Sequence, residues 1–320
     1  MSLVIRPEHF QRSLPLDEAR QLFKDSITQV EIEAFTYCNR TCWFCPNSYI
    51  DRRSTNKYMD EGLYLRILSD LASIDYRGII TYSRYNEPLA DRIILTRIRQ
   101  ARERLPDAVL LTHTNGDYLD QDYLRDLKEA GLNRLKVQVY LANDERFEDE
   151  AMRKRLSRRI NDLGLPHRIQ IAEPNVRYLV EVQYPGMEVT FDARNFGVIG
   201  VDRGQTIALP EAYERNAPCF IVFRHLYIDY DGSVVPCCNI RSDEPRHALY
   251  VVDRLATGRS LFEAYANSPL ADWRRGLVTF GKKEKPCDTC AYEVPPDTPE
   301  LRAMAQRVAQ DQGWDRGESG

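Results

Sequence analysis

No apolar run in the 320-residue chain approaches the ~20 residues that a membrane-spanning helix needs. The first twenty residues, MSLVIRPEHFQRSLPLDEAR, lack the apolar stretch of a secretory signal. Neither a membrane partner nor a secretory route is therefore expected. A one-signed charge excess is missing too: 44 Lys and Arg face 48 Asp and Glu, a net charge of −4. That gives no bulk attraction for nucleic acid. Internal repeats and low-complexity segments are absent. Between Cys45 and Cys219 there is no cysteine at all. A secreted, disulfide-stapled fold is normally smaller and would not leave so long a stretch without one. The eight cysteines instead form two groups, which predicts metal binding in a reducing, cytoplasmic compartment.

Hydrophobic residues make up 43% of the chain, enough to bury a substantial core. The pattern alternates. Residues 16–25 read as helix, and 29–36 (QVEIEAFT) as strand. Residues 59–74, 89–104, 119–131 and about 144–163 have helical periodicity. Residues 78–84, 108–116, 134–141, 168–173 and 177–193 supply strands between and after them. Repeated strand–helix alternation predicts parallel βαβ units, which right-handed crossovers curl into a full or partial (β/α) barrel. After about residue 200 the pattern changes. HLYIDYDGSVVPCC reads as a hairpin turning at Asp231-Gly232, and a helix is expected over about 260–276. The expected organisation is an extension (1–28), an α/β partial barrel (29–205), a small second domain (206–295), and a C-terminal helix and tail (296–320). The polar end of the chain, DQGWDRGESG, is expected to fray.

The first cysteine group, CNRTCWFC, spaces Cys38, Cys42 and Cys45 in one loop after the first strand. Three thiolates so placed can each bind one iron of a cubane, leaving the fourth iron open to another ligand. A structural zinc site is the competing reading, but zinc wants a fourth ligand at close spacing. The sequence positions neither of the nearest histidines, His9 and His113. The second group is Cys219, Cys237, Cys238, Cys287 and Cys290. A hairpin and a late CxxC can bring four thiolates together for zinc or for an Fe-S cluster, and spacing alone does not choose.

The Cx3CxΦC spacing, with Phe44 at the aromatic position, resembles the signature of the radical S-adenosylmethionine (SAM) superfamily. YSRYNEPLAD (82–91) resembles the family's GGEP-like motif, although Tyr85-Asn86 stand where glycines are usual. THTNGDYL (112–119) resembles its strand-end TNG segment. The resemblance covers about residues 29–290. It implies a partial (β/α)6 barrel whose Cys38, Cys42 and Cys45 hold a [4Fe-4S] cluster that chelates SAM. It implies that Glu87 meets the SAM ammonium and that Asn115 lies near the ribose. An external one-electron reductant, such as flavodoxin or ferredoxin, would feed this cluster. The second group resembles a twitch domain, a shortened SPASM domain. Cys219, Cys237, Cys287 and Cys290 would then hold one auxiliary [4Fe-4S] cluster.

Cys238 is left outside that set, with the reverse assignment of Cys237 and Cys238 open. It is either a small packed residue or a hydrogen-atom donor. VDRGQ resembles an NRGG-like segment of aminocyclitol-oxidising relatives, which would turn Arg203 toward substrate. The whole pattern resembles enzymes that modify a carbinol carbon of a sugar or aminocyclitol, with outcomes of epimerisation or dehydrogenation to a ketone. The eighth cysteine favours epimerisation. Peptide maturation ranks lower, because only about 28 residues precede the first strand, too few for a leader-binding domain. A non-catalytic Fe-S protein ranks lower again, because Glu87 stands in the expected place.

Overall fold

The computed structural model describes residues 4–209 and 213–314. The chain divides into two compact units: residues 29–201 with 228–231, and residues 4–28 with 202–227 and the chain from 232 onward. In chain order, helix α1 (Leu16–Ser26) precedes strand β1 (Gln29–Ile32). Then follow α2 (Glu61–Ala72), β2 (Ile79–Thr81), α3 (Ile93–Arg104), β3 (Val109–Thr114), α4 (Gln121–Glu129), β4 (Arg134–Gln138) and α5 (Asp149–Leu163). This unit ends with β5 (His167–Glu173), β6 (Arg177–Val182), β7 (Glu188–Arg194) and the short α6 (Phe196–Ile199).

The caps fix the helix starts. Asp60 accepts from Leu63 N at 2.8 Å at the head of α2, and Asp120 from Tyr123 N at 2.7 Å at the head of α4. Gly164 stops α5 in the left-handed conformation, φ 60°. The strand order is β1-β2-β3-β4-β7-β6-β5. β1, β2, β3, β4 and β7 run parallel, which is the α/β sheet expected from the alternation. β6 pairs antiparallel with both β7 and β5, so β5, β6 and β7 form a meander without crossover helices between them.

Register sorts the two faces. Val30, Ile32, Ile80, Leu110, Leu135, Val189 and Phe191 are essentially unexposed and form the apolar face. On the opposite face Glu31 pairs with Thr81, His113 with Lys136, and Gln138 with Asp192. That face is polar and of mixed sign.

In the other unit, α7 (Ile221–Arg224) leads into the β8 (His225–Ile228) and β9 (Ser233–Val235) hairpin, and β9 pairs antiparallel with β10 (Asp253–Arg254). The expected single helix over 260–276 is two, α8 (Leu261–Ala266) and α9 (Leu270–Val278). Pro269 stands at the break, where it has no N–H to give to a continuous helix. Asn267 beside it donates Nδ2 to Leu14 O at 3.0 Å and accepts from Leu14 N at 2.6 Å.

The N-terminal segment is thus part of this unit. Phe23 of α1 meets Phe262 and Tyr265 of α8 edge-on, at 5.4 and 5.5 Å. The last helix, α10 (Pro299–Asp311), is followed by Trp314, which packs edge-on against Phe10 at 5.0 Å rather than fraying. The rest of the tail lies outside the described residues. No helix is long and apolar enough to cross a membrane, among the described residues.

Candidate metal and cofactor centres

Strand β1 ends at Ile32, and the next turn of chain carries the first cysteine group. Cys38 and Cys42 are buried and Cys45 half-buried. Burial pushes the Cys38 thiol up to about 12, with the charges of Glu87, Cys45 and Cys42 acting in the same direction. Burial likewise pushes Cys42 up to about 12, helped by Cys45. The three sulfurs are therefore within electrostatic reach of one another.

The loop is pinned from several sides. Arg40 grips Asp117 with Nε to Oδ2 at 2.6 Å and Nη2 to Oδ1 at 2.8 Å, and reaches Leu141 O at 2.7 Å. Asn39 donates to Asp117 Oδ2 at 2.9 Å and accepts from Asn115 Nδ2 at 2.8 Å. Trp43 N donates to Asn143 O at 2.8 Å, and Thr41 N to Asn143 Oδ1 at 3.1 Å. A buried Arg52–Glu33 pair at 2.7 Å supports the loop's base, where Cys38 N donates to Arg52 O.

Glu87 follows β2 and is 2% exposed. Its carboxylate accepts from Asn115 N at 2.6 Å, from Leu89 N at 3.0 Å, and from the Thr114 hydroxyl. Burial lifts it to about 7 against the pull of those donors. An arriving cation would favour the ionised form. Asn115 thus holds both Glu87 and, through Asn39, the cysteine loop. Gly116 beside it has φ 73°, and a Cβ there would lie 2.6 Å from Val137 Cγ1, so only glycine fits. Phe44 stacks on Phe196 with centroids 3.9 Å apart and 7° between planes, and Tyr140 lies 5.0 Å away.

The second cysteine group lies in the other unit. Cys237 feels Cys238, Cys287 and Cys290, while Cys287 feels Cys219 and Cys290. Burial raises the thiols of Cys219, Cys237, Cys287 and Cys290. Asn239 Nδ2 donates to Cys290 Sγ at 3.7 Å. Arg203 donates from Nη1 to Asn239 Oδ1 at 3.2 Å, so it sits one residue removed from this group. Arg203, Gly204 and Gln205 are all left-handed. A Cβ on Gly204 would come 2.8 Å from His247 Nε2 and 3.1 Å from Asn239 O. Cys237 and Cys238 both pack against Ile221, Tyr227, Val235 and Ile240. None of the eight cysteines forms a disulfide.

Among the described residues, no three His, Cys, Asp or Glu side chains are drawn in to metal-ligand geometry. The fit rests on the donor chemistry. Burial holds Cys38, Cys42, Cys219, Cys237, Cys287 and Cys290 as thiols until a cation arrives, and an all-thiolate set suits an Fe-S cluster.

Sequence reasoning missed Asp117, Arg40 and Asn39, although two of them lie inside the cysteine motif and Asp117 directly follows Asn115-Gly116. It also missed Arg215 and Lys283, whose only sequence signal is lying four residues before Cys219 and Cys287.

Residues 32–184 match the family model of the radical SAM superfamily, and residues 219–291 match that of SPASM, an iron-sulfur cluster-binding domain. The chain is therefore a radical SAM enzyme with a SPASM domain, and its cofactors are SAM and two [4Fe-4S] clusters. It is similar to the S-adenosyl-L-methionine-dependent 2-deoxy-scyllo-inosamine dehydrogenase of Niallia circulans. The two are 26% identical over 211 residues, 66% of this chain and 73% of that one. In fold it is similar to the crystal structure of BtrN in complex with AdoMet and 2-DOIA. The TM-score is 0.61 at 22% identity, covering 83% of this chain and 94% of that one. BtrN in an open conformation gives a TM-score of 0.51 at 20% identity, covering 78% and 85%.

Proposed function

We propose that this enzyme dehydrogenates a carbinol carbon of an aminocyclitol-type substrate to a ketone. The similarity to an aminocyclitol dehydrogenase over two thirds of the chain carries this reading. That relative is a dehydrogenase, so we place dehydrogenation ahead of the epimerisation that the eighth cysteine suggested. In this reading Cys38, Cys42 and Cys45 hold the cluster that binds SAM, and Cys219, Cys237, Cys287 and Cys290 hold the auxiliary one. Bound there and reduced, SAM supplies a 5′-deoxyadenosyl radical that removes a hydrogen atom from the substrate carbon.

The chain's own residues do the positioning. Glu87, held by three donors, accepts the SAM ammonium as a charge-assisted hydrogen bond. Asn115 keeps Glu87 and the cysteine loop in register. Phe44 and Phe196 offer a stacked aromatic wall. The polar sheet face, with Glu31, His113, Lys136, Gln138 and Asp192, presents groups of both signs for a polyhydroxylated amine, with Asp192 paired to Arg177 and Glu31 to Arg84. Cys237 lies within electrostatic reach of Cys287 and Cys290, in keeping with its place in the ligand set. Arg203 is held by Asn239, which in turn donates to Cys290, beside the second cysteine group, and its resemblance-based role toward substrate stands as part of the proposal.

Anaerobic turnover of aminocyclitols in deuterated water tests the reading. A ketone two mass units lighter than substrate is expected, with Cys238→Ala turning over normally. An isomeric product carrying carbon-bound deuterium, lost in Cys238→Ala, would establish epimerisation instead.

A further inference from the structure

Two buried cations flank the second cysteine group. Arg215 is 1% exposed and Lys283 is 2% exposed. Arg215 gives its donors to carbonyls: Nε to Ala217 O at 3.1 Å, Nη1 to Cys290 O at 3.1 Å and Tyr292 O at 2.7 Å, and Nη2 to Pro218 O at 2.6 Å and Glu293 O at 3.4 Å. Lys283 donates to Thr279 O. Neither forms an ion pair among the described residues. Two acids lie near the same cysteine group: Asp202, which burial pushes toward its neutral form and which accepts from Thr289 Oγ1 at 2.5 Å, and Asp288, which accepts from Gln205 Nε2 at 2.6 Å; neither comes within ion-pair distance of Arg215 or Lys283. Glu293 reaches Arg224 at 3.4 Å.

Arg215 acts electrostatically on Cys219, Cys287 and Cys290, and Lys283 is acted on by Cys219 and Cys287. The two cations also repel each other. Burying two like charges side by side costs several kcal/mol unless an anion joins them. A [4Fe-4S] cluster with four thiolates is such an anion, doubly charged when oxidised and triply when reduced. Carbonyl anchoring keeps the guanidinium charge in place without neutralising it, whereas a carboxylate partner would cancel its field.

We propose that Arg215 and Lys283 raise the reduction potential of the cluster held by Cys219, Cys237, Cys287 and Cys290, and so equip it to take the substrate's electron. This rests on the ligand set and the dehydrogenation stated above. In the oxidation, the carbon gives a hydrogen atom to the 5′-deoxyadenosyl radical and the hydroxyl gives its proton to solvent. The remaining electron passes to the auxiliary cluster, turning the dianion into the trianion, and the C=O bond forms. Buried positive charge stabilises the trianion more than the dianion. Arg215 and Lys283 are thus positioning charges and touch no substrate.

The test uses the full chain with Cys38, Cys42 and Cys45 replaced by alanine, which isolates the auxiliary cluster. Its midpoint is read by redox titration followed by electron paramagnetic resonance, with iron content measured alongside. Arg215→Gln and Lys283→Gln should each lower the midpoint. A tenfold change in the reduced-to-oxidised ratio at fixed potential corresponds to about 59 mV for one electron. Arg215→Lys should keep most of the parent value. A full iron load with an unchanged midpoint in Lys283→Gln and in any folded Arg215 variant overturns the inference. A parent that binds no cluster overturns the ligand assignment itself, which is a separate result. Should Arg215→Gln not fold, Lys283→Gln decides alone.

Discussion

Glu87 shows how much one side chain is asked to do. It is nearly unexposed, takes three donors, and sits within reach of Cys38. Glu87→Gln keeps the shape but removes the charge. A hydrogen bond to a charged group is worth about 1.5–3 kcal/mol, so SAM affinity should fall by roughly 10–100-fold. The cysteine loop should still assemble its cluster, because Arg40–Asp117 and Asn39 hold it independently. Equilibrium SAM binding, 5′-deoxyadenosine yield and iron content check this together. An unchanged affinity would remove Glu87 from the SAM site. At this scale the motif cysteines, Glu87 and Asn115 are legible in the sequence because their chemistry demands those residue types at short spacing. Asp117, Arg215 and Lys283 are not. Their roles come from long-range placement, and an isolated Asp, Arg or Lys has no pattern to mark it.

The elements that alternate strictly are the ones the sequence shows best. Strands β1 to β4 and helices α2 to α5 follow their periodicity to within a few residues, because one face of each must be apolar to pack. The β5–β6–β7 meander is visible as strands, but the reversed direction of β6 depends on which neighbours it joins. The break between α8 and α9 was hidden because Leu261–Val278 keeps helical periodicity through Pro269. What uses the break is Asn267, whose side-chain amide pairs with both backbone groups of Leu14. Asn267→Ala leaves that N–H and C=O without their partner. A cost of about 1–3 kcal/mol is expected, read as a lower urea midpoint. Limited proteolysis should cut faster between Gln11 and Leu16, ahead of α1. Unchanged cleavage and midpoint would show that the packing of Phe23 on Phe262 and Tyr265 holds the segment without Asn267.

At the scale of the whole molecule, four histidines resist protonation in the folded state, among them His247, which burial holds down. Burial and then Arg274 hold His9 down at about 3, burial and then Lys136 hold His113 at about 3, and burial and then Arg224 hold His225 at about 4. His9 is the clearest. It is unexposed, its Nε2 lies 3.0 Å from Ser26 Oγ, its Nδ1 accepts from Arg6 N at 3.0 Å, and its ring meets Phe223 at 5.3 Å. Arg274 on α9 donates to His9 O at 3.2 Å, so a charged imidazole would face a buried guanidinium. Tyr265 of α8 closes the other side. The folded pKa lies below the unfolded value, so the unfolded chain binds the proton first. Stability from neutral His9 is therefore complete above about pH 6.5 and lost as the pH falls from there toward 3. Each such histidine contributes a slope of up to ~1.4 kcal/mol per pH unit in that window. His9→Gln keeps the polar contacts and cannot titrate. Anaerobic urea titrations between pH 7.5 and 5 should give wild type a steeper loss of stability than His9→Gln, by about that slope below pH 6. Cluster absorbance, followed in parallel, separates unfolding from acid loss of iron. Equal slopes would mean that His9 takes up its proton in the folded chain as readily as in the unfolded one, and that the acid sensitivity belongs to His113, His225 and His247.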